Sequence, residues 1–362
     1  MKKISKFLSF MLSFALCIGL CIPVFATNGE AIPSDYINAI ENALSKISPE
    51  KENYGFEDTD FSDLWIGSEI PKYEFSNNSL NEANDFPTYP IFKGNGKLVA
   101  LATILTEDTN VFADISTSLV KIINNCMKSA DTKFSLIYDN IAAYYWDGEN
   151  ITLLKEYGYE IETRDTIPWD SDEEFKNLPV STIQKEEPLF VSEYVSPIGY
   201  EDESVYINVP KISQPEGSGW CWAACMASIV NYKKGTNYTC RSMANRYTDN
   251  LYQGMTPEDV CSYLNSDFRL NYYKLDLIRT SPMFQSLGRG NPIFASFTSA
   301  FVNHGVVIRG MDYQSNTFSF MDPSDGYYHS GHLNYQSNGV AYMYFYSAEA
   351  DSEFVIYGVY LI

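Results

Sequence analysis

The chain has 362 residues, 45% of them hydrophobic and 20% charged, with a formal net charge of −21. That length suits about two domains of ordinary size, and the composition excludes a collagen-like, coiled-coil or wholly disordered chain. The acidity, with no basic stripe anywhere, excludes nucleic acid as a partner class.

The charge is unevenly spread. Residues 27–204 hold 34 acidic and 12 basic side chains, net −22; residues 205–362 hold 12 and 10, net −2. Such a step marks two domains of different surface chemistry, although an acidic surface also serves solubility. At the start, Lys2, Lys3 and Lys6 precede an uncharged apolar run from Phe7 to Phe25, and Val24-Phe25-Ala26 places small residues at a cleavage position. Residues 1–26 therefore read as a signal peptide and predict a secreted protein of Gram-positive-type export with no stable membrane anchor. The competing reading is one membrane-spanning segment, because the run is close to the roughly 20 residues that cross a bilayer. The chain's last residues, Tyr357 to Ile362, carry no wall-sorting tail, in keeping with free secretion. After processing five cysteines remain: Cys126, Cys221, Cys225, Cys240 and Cys261. An odd number leaves at least one thiol unbridged, which suits a working thiol.

In chain order, the spacing of Tyr36, Ile37, Ile40 and Leu44 predicts a helix over 33–47, opened by Ser34. Residues 48–86 are acidic and poor in pattern. Tyr89 to Phe92 and Leu98 to Leu105 read as strands around the turn Gly94-Asn95-Gly96. Ile115 to Cys126 reads as a helix. Phe134 to Tyr138 and Ala142 to Trp146 read as strands before the turn 147–150. These elements make residues 27–185 an acidic α+β domain with no histidine. Residues 186–203 read as an exposed, cleavable linker, with Pro188, Pro197, Gly199 and the run Glu201-Asp202-Glu203.

Residues 204–362 begin with helices: Trp220 to Tyr232, Ser242 to Tyr247, and Pro257 to Leu264 capped by Thr256. Strands follow at Tyr273–Ile278, Ile293–Phe297, Gly305–Tyr313, Thr317–Met321, Val340–Tyr346 and Phe354–Leu361. The fold class is α+β.

The chemistry concentrates in this second half. A thiol at the start of a helix is favoured as thiolate by the dipole and the free N–H groups there, and Cys221 has that place. Cys225, one turn on, is the alternative nucleophile, deeper in the helix. The base must be His304, His329 or His332, the only histidines in the chain. His304 opens a strand, where Gly305 permits a close neighbour. Asp322 ends the next strand and is placed to hold the imidazole. Gln214, in the loop before Cys221, offers an amide to an oxyanion. His329 and His332 lie among Gly and Ser and read as surface loop; with Asp325 they form a weakly supported metal set. Cys240 and Cys261 form a candidate disulfide.

Gln214, Cys221-Trp222-Ala223-Ala224, Asn303-His304-Gly305-Val306-Val307 and Asp322-Pro323 together resemble the papain-like cysteine peptidases. The nearest likeness is the bacterial branch of staphopain-like and bacteriocin-processing, double-glycine-type peptidases; the lead-in Val209-Pro210-Lys211-Ile212-Ser213 shares it. The resemblance covers about 204–362. It implies a papain-like domain with Cys221 as nucleophile, His304 as base, Asp322 as orienting residue and Gln214 as oxyanion donor. It implies a peptide or protein substrate, no cofactor, and a front domain acting as an intramolecular inhibitor that makes the protein a zymogen. Two features depart from papain: the Gln-to-Cys spacing is seven residues rather than six, and Asp stands in place of Asn. A rival reading keeps the fold but makes the second half a pseudo-enzyme, a ligand-binding domain or a peptide-acting transferase, with the front domain a permanent binding module.

Overall fold

The computed structural model describes residues 31–76, 79–83, 86–107, 110–127, 133–139, 142–156, 178, 180–183, 185–192, 204–275, 278–298, 303–313, 317–335, 341–347 and 352–361. The expected signal peptide, 1–26, and most of the expected linker lie outside these residues. Contacts divide the chain after Pro33, and the unit Ser34–Ile362 holds the helices and strands of the described residues.

The front part carries the predicted helix, Ser34–Ile47, with Ile40, Leu44 and Ile47 buried. It packs on the strand Asn110–Ser116. An antiparallel sheet runs in the order Lys185–Pro188, Leu64–Gly67, Thr88–Lys93, Leu98–Glu107, Asn110–Ser116. A second sheet runs Ser79–Glu82, Lys72–Ser76, Lys133–Tyr138, Ala142–Trp146, Ile151–Glu156, with Ser181–Thr182 added on Lys133–Tyr138. Its Lys72–Ser76 and Lys133–Tyr138 strands are parallel, the other pairings antiparallel.

Three expectations for this half are corrected. Residues 48–86 contain three strands and the 3-10 turns Ser48–Tyr54 and Phe61–Asp63. Ile115 is not helical: it pairs with Ala102 at the end of a strand, and the helix begins only at Val120. Ladder pairing along Leu98–Glu107 claims those residues before a helix can. The expected linker starts as structure, because Lys185–Pro188 is an edge strand on Leu64–Gly67. Pro188, which has no N–H to donate, sits at its end, where a proline is tolerated.

The second half supplies its own sheet, which closes on itself. Asn303–Asp312 pairs with Ile293–Thr298, then Ser352–Leu361, Ala341–Ser347, Tyr328–Tyr335 and Thr317–Met321 follow, and the last returns to pair with Asn303–Asp312. The result is a six-stranded antiparallel barrel, with Ser204–Tyr206 and Tyr273–Lys274 as short additions. Ile293, Phe297, Val306, Ile308, Phe318 and Phe320 are among its core.

The helix Cys221–Lys234 packs on Asn303–Asp312. All ten residues from Cys221 to Val230 are buried. A helix apolar on every side belongs inside a domain, and its alanines let neighbours approach closely. Helices Cys240–Ala244, Pro257–Ser266 and Thr280–Gly288 complete this half. Thr256 accepts the N–H of Asp259, the predicted cap. The expected strand from Tyr273 stops at Lys274, and the helix Thr280–Gly288 has no counterpart among the expected elements, because Ser281-Pro282 reads as a breaker rather than as a first turn.

His329 and His332 also need correction. They lie in the strand Tyr328–Tyr335 and are buried, at 6% and 7% exposure. The Gly and Ser around them suggest a loop. Gly331 instead makes room for an aromatic ring: a Cβ there would come within 2.4 Å of the Phe318 ring. Cys240 and Cys261 are both free thiols, so the expected disulfide between them does not form.

The front part seats on the barrel through a polar and aromatic seam. Arg309 donates to Glu50 at 2.8 Å, and its side chain is 1% exposed. Tyr54 Oη lies 2.9 Å from Ser319 Oγ, with its ring edge-on to Tyr328. Lys46 pairs with Asp312 at 3.3 Å, and Phe112 stacks on His332.

Candidate active site

The site forms where the loop before the buried helix meets one end of the barrel. Gln214 donates its backbone N–H to the carbonyl of Pro323 at 2.7 Å, tying this loop to the residue after Asp322. Gly219 donates its N–H to Leu251 at 2.9 Å. A Cβ at Gly219 would lie 2.7 Å from the Tyr252 carbonyl oxygen, so only glycine fits there. The two tryptophans beside Cys221 complete the clamp. Trp220 Nε1 donates to the Asn250 carbonyl at 2.9 Å and Trp222 Nε1 to the Gln253 carbonyl at 3.0 Å. Cys221 is thereby held between two anchors on one loop, at the first residue of its helix. The sequence shows the tryptophans but not this use; polar Asn250 and Gln253 give no periodic signal.

His304 is the second residue of the strand Asn303–Asp312, and Asp322 follows the strand Thr317–Met321 directly. These strands are neighbours, with Val307 opposite Met321. His304 Nε2 lies 2.7 Å from Asp322 Oδ1. The same oxygen accepts the Ser324 N–H at 2.7 Å, which fixes the carboxylate. The His304 ring also hydrogen-bonds Cys221. With Nε2 held by Asp322, Nδ1 is the nitrogen left for the thiol. Cys221 and Asp322 are 8% and 7% exposed, so the group sits in a shielded place.

Burial works against a charged imidazole at His304. The Asp322 charge, the Asp322 hydrogen bond and the Cys221 hydrogen bond outweigh it and raise the pKa well above the ordinary histidine value. Burial likewise opposes the Asp322 carboxylate, yet the charge and hydrogen bond of His304 lower it strongly, with smaller help from His329 and Lys155. Lys155 belongs to the front strand Ile151–Glu156, so the front part reaches the site electrostatically. An imidazolium between a carboxylate and a thiol favours the thiolate.

Gln214 donates its side-chain Nε2 to the Ser218 carbonyl at 3.0 Å. This fixes the amide orientation, since the flipped form would set two oxygens together. A primary amide has two N–H donors, and this bond uses one of them. Cys225 is fully buried, and burial first, then the nearby Cys221, pushes its thiol well above the ordinary value. It is a core thiol, packed by Gly305 and one turn past the helix start. Cys240 is pushed up to about 12, chiefly by burial, and gives a weak S–H contact to Trp220 O at 3.6 Å. The structure therefore brings together Cys221, His304 and Asp322, with Gln214 in the loop that is tied to Pro323 beside them. His332 lies away from them, on the seam with the front part.

Residues 203–339 match a protein-family model described as papain-like cysteine protease AvrRpt2. No curated protein matches the chain. The matched stretch contains the whole site, and the chain is a cysteine-type peptidase, a hydrolase, similar to the papain-like families.

Proposed function

We propose that the protein is a secreted cysteine peptidase, made as a zymogen, that hydrolyses peptide bonds with Cys221 as nucleophile, His304 as base and acid, and Asp322 as the orienting residue. The observation that carries the reading is His304 held between Asp322, at 2.7 Å, and Cys221. The Cys221 thiolate attacks the peptide carbonyl carbon, and the carbonyl electron pair moves onto oxygen. The second Gln214 amide N–H and the backbone N–H of Cys221 receive that oxyanion. His304 gives its proton to the leaving amine as the C–N bond breaks, leaving a thioester. Water then loses a proton to His304 and attacks the thioester, the C–S bond breaks, and the thiolate returns. Asp322 stays charged throughout and keeps the ring in one orientation. On the motif order the site is similar to that of the staphopain-like and double-glycine-type peptidases.

Export rests on the signal-like residues 1–26. The inhibitory role of the front part rests on its charge and on the reach of Lys155 toward Asp322. Activation would cut within 186–203. One observation favours a front part that stays bound after the cut: Arg309, 1% exposed, has its charge partner in Glu50 of the front part.

The test is self-processing and casein cleavage by the chain lacking residues 1–26. Cys221→Ala is expected to remain uncut and inactive, while Cys225→Ala, if folded, keeps activity. A Cys221→Ala chain that processes and cleaves casein like the wild type ends the proposal.

A further inference from the structure

A second histidine–carboxylate couple lies beside the first. His329 Nε2 meets both oxygens of Asp325, at 3.2 Å and 3.0 Å. Both side chains are largely buried. His329 stands opposite Phe320 across the sheet and stacks on its ring. Asp325 occupies the same short turn as Asp322. In that turn Asp322 N donates to the Tyr327 carbonyl at 3.0 Å and Gly326 N to the Asp322 carbonyl at 2.7 Å. Tyr327 N donates to Asp325 Oδ1 at 2.8 Å. One carboxylate of the turn thus reaches toward His304 and the other toward His329.

The turn is gripped from outside as well. Gln214 N holds the Pro323 carbonyl. From the front part, Ser118 Oγ donates to Asp325 Oδ2 at 2.5 Å, and Glu57 accepts from Tyr327 Oη at 3.0 Å. Lys211 lies over the Tyr327 ring. The charges acting on Asp322 come from His304, His329 and Lys155; those on Asp325 come from His329 and Asp322. Two carboxylates three residues apart repel, and the neighbouring His329 acts the other way, lowering both.

We propose that His329 and Asp325 are positioning residues, which hold the turn so that Asp322 stays aimed at His304. The inference rests on Cys221, His304 and Asp322 being the catalytic set. They act through the backbone of the turn and the hydrogen bonds that fix it. Ser118 closes the couple from the front part.

The test uses the chain lacking residues 1–26, with the rate of Cys221 alkylation by iodoacetamide followed against pH, and with kcat and KM measured on a casein-derived peptide after processing. His329→Gln and Asp325→Asn are expected to lower kcat about ten- to a hundredfold with KM unchanged, the scale of a small misplacement of a reacting group. His329→Gln is also expected to move the acid limb of alkylation to higher pH, because a looser Asp322 holds the His304 imidazolium, and with it the thiolate, less firmly. Asp325→Glu, which keeps the charge, is expected to restore part of kcat. If His329→Gln fails to fold, Asp325→Asn and Asp325→Glu decide the matter by their difference. Variants that keep the wild-type kcat and acid limb overturn the inference, as does an Asp325→Glu no better than Asp325→Asn. A wild-type Cys221 that does not react at all overturns the catalytic reading beneath it, so the two failures are distinct.

Discussion

Cys221, His304 and Asp322 come from a helix start, a strand mouth and a strand end, and each position is open to inference from residue type and order. What residue order does not show is how firmly the site is held. The indole anchors of Trp220 and Trp222 depend on carbonyls thirty-odd positions away, and carbonyls carry no side-chain signature. The His329–Asp325 couple escapes sequence reasoning for a related cause: Gly and Ser around it imitate a loop, while barrel closure makes it a strand. At this scale the pH behaviour follows from the His304–Asp322 contact. His304 is raised in the folded state, to about 10, with Asp322 the largest favourable influence. A raised pKa contributes stability that is complete below the ordinary value of 6.5 and is lost as pH rises through the raised one. The alkaline limb of kcat/KM is therefore expected well above 6.5, and Asp322→Asn is expected to shift it to lower pH and to cut kcat. Measured pH–rate profiles of the two proteins check this, and a limb that stays in place in Asp322→Asn contradicts it.

At the level of elements, the barrel strands with strong alternation are legible in the sequence, as are the helices with clear caps such as Pro257–Ser266. Short strands such as Leu64–Gly67 and Ser79–Glu82 are not, because their residues are chosen by partner strands rather than by local pattern. The loop 248–253 belongs to the same class. Its inner hydrogen bonds, Asn250 N to Thr248 Oγ1 and Tyr252 N to Asn250 Oδ1, fix it before it meets Gly219. The close approach at Gly219 makes the nucleophile's entry loop intolerant of a side chain. Gly219→Ala pushes a methyl group against the Tyr252 carbonyl and is expected to cost about 1–3 kcal/mol, the usual scale of overpacking. It is also expected to slow Cys221 alkylation, since the clamp sets where the helix begins. Thermal melts and alkylation rates on the purified variant measure the two effects, and a variant that melts and reacts like the wild type refutes the clamp.

Over the whole molecule, the charge step between the two halves is plain in the sequence, but the seam joining them is not. Arg309 reads as one cation in a barrel strand. In the fold it donates to Glu50, to the Ile207 carbonyl and to Ser319, and lies against the Tyr328 ring at 4.1 Å. Glu50→Gln leaves that guanidinium without its counter-charge. The expected loss is about 1–3 kcal/mol, below the roughly 3–5 of a fully buried pair because the Glu50 side chain is 41% exposed. The melting temperature of uncut protein should fall accordingly, and the front part should leave more readily after cutting, as read by gel filtration. An unchanged melt would mean that the seam draws its strength from Tyr54 and Phe112 instead.

The strand Asn303–Asp312 carries His304 near its first residue and Arg309 and Asp312 near its last. Chemistry and partnership are thus written on one continuous piece of backbone, hydrogen-bonded along both sides. A substitution that moves this strand at one end is therefore felt at the other. A front part with no carboxylate in the place of Glu50 would leave Arg309 unanswered, and any reshaping of the strand to receive it would travel toward the histidine.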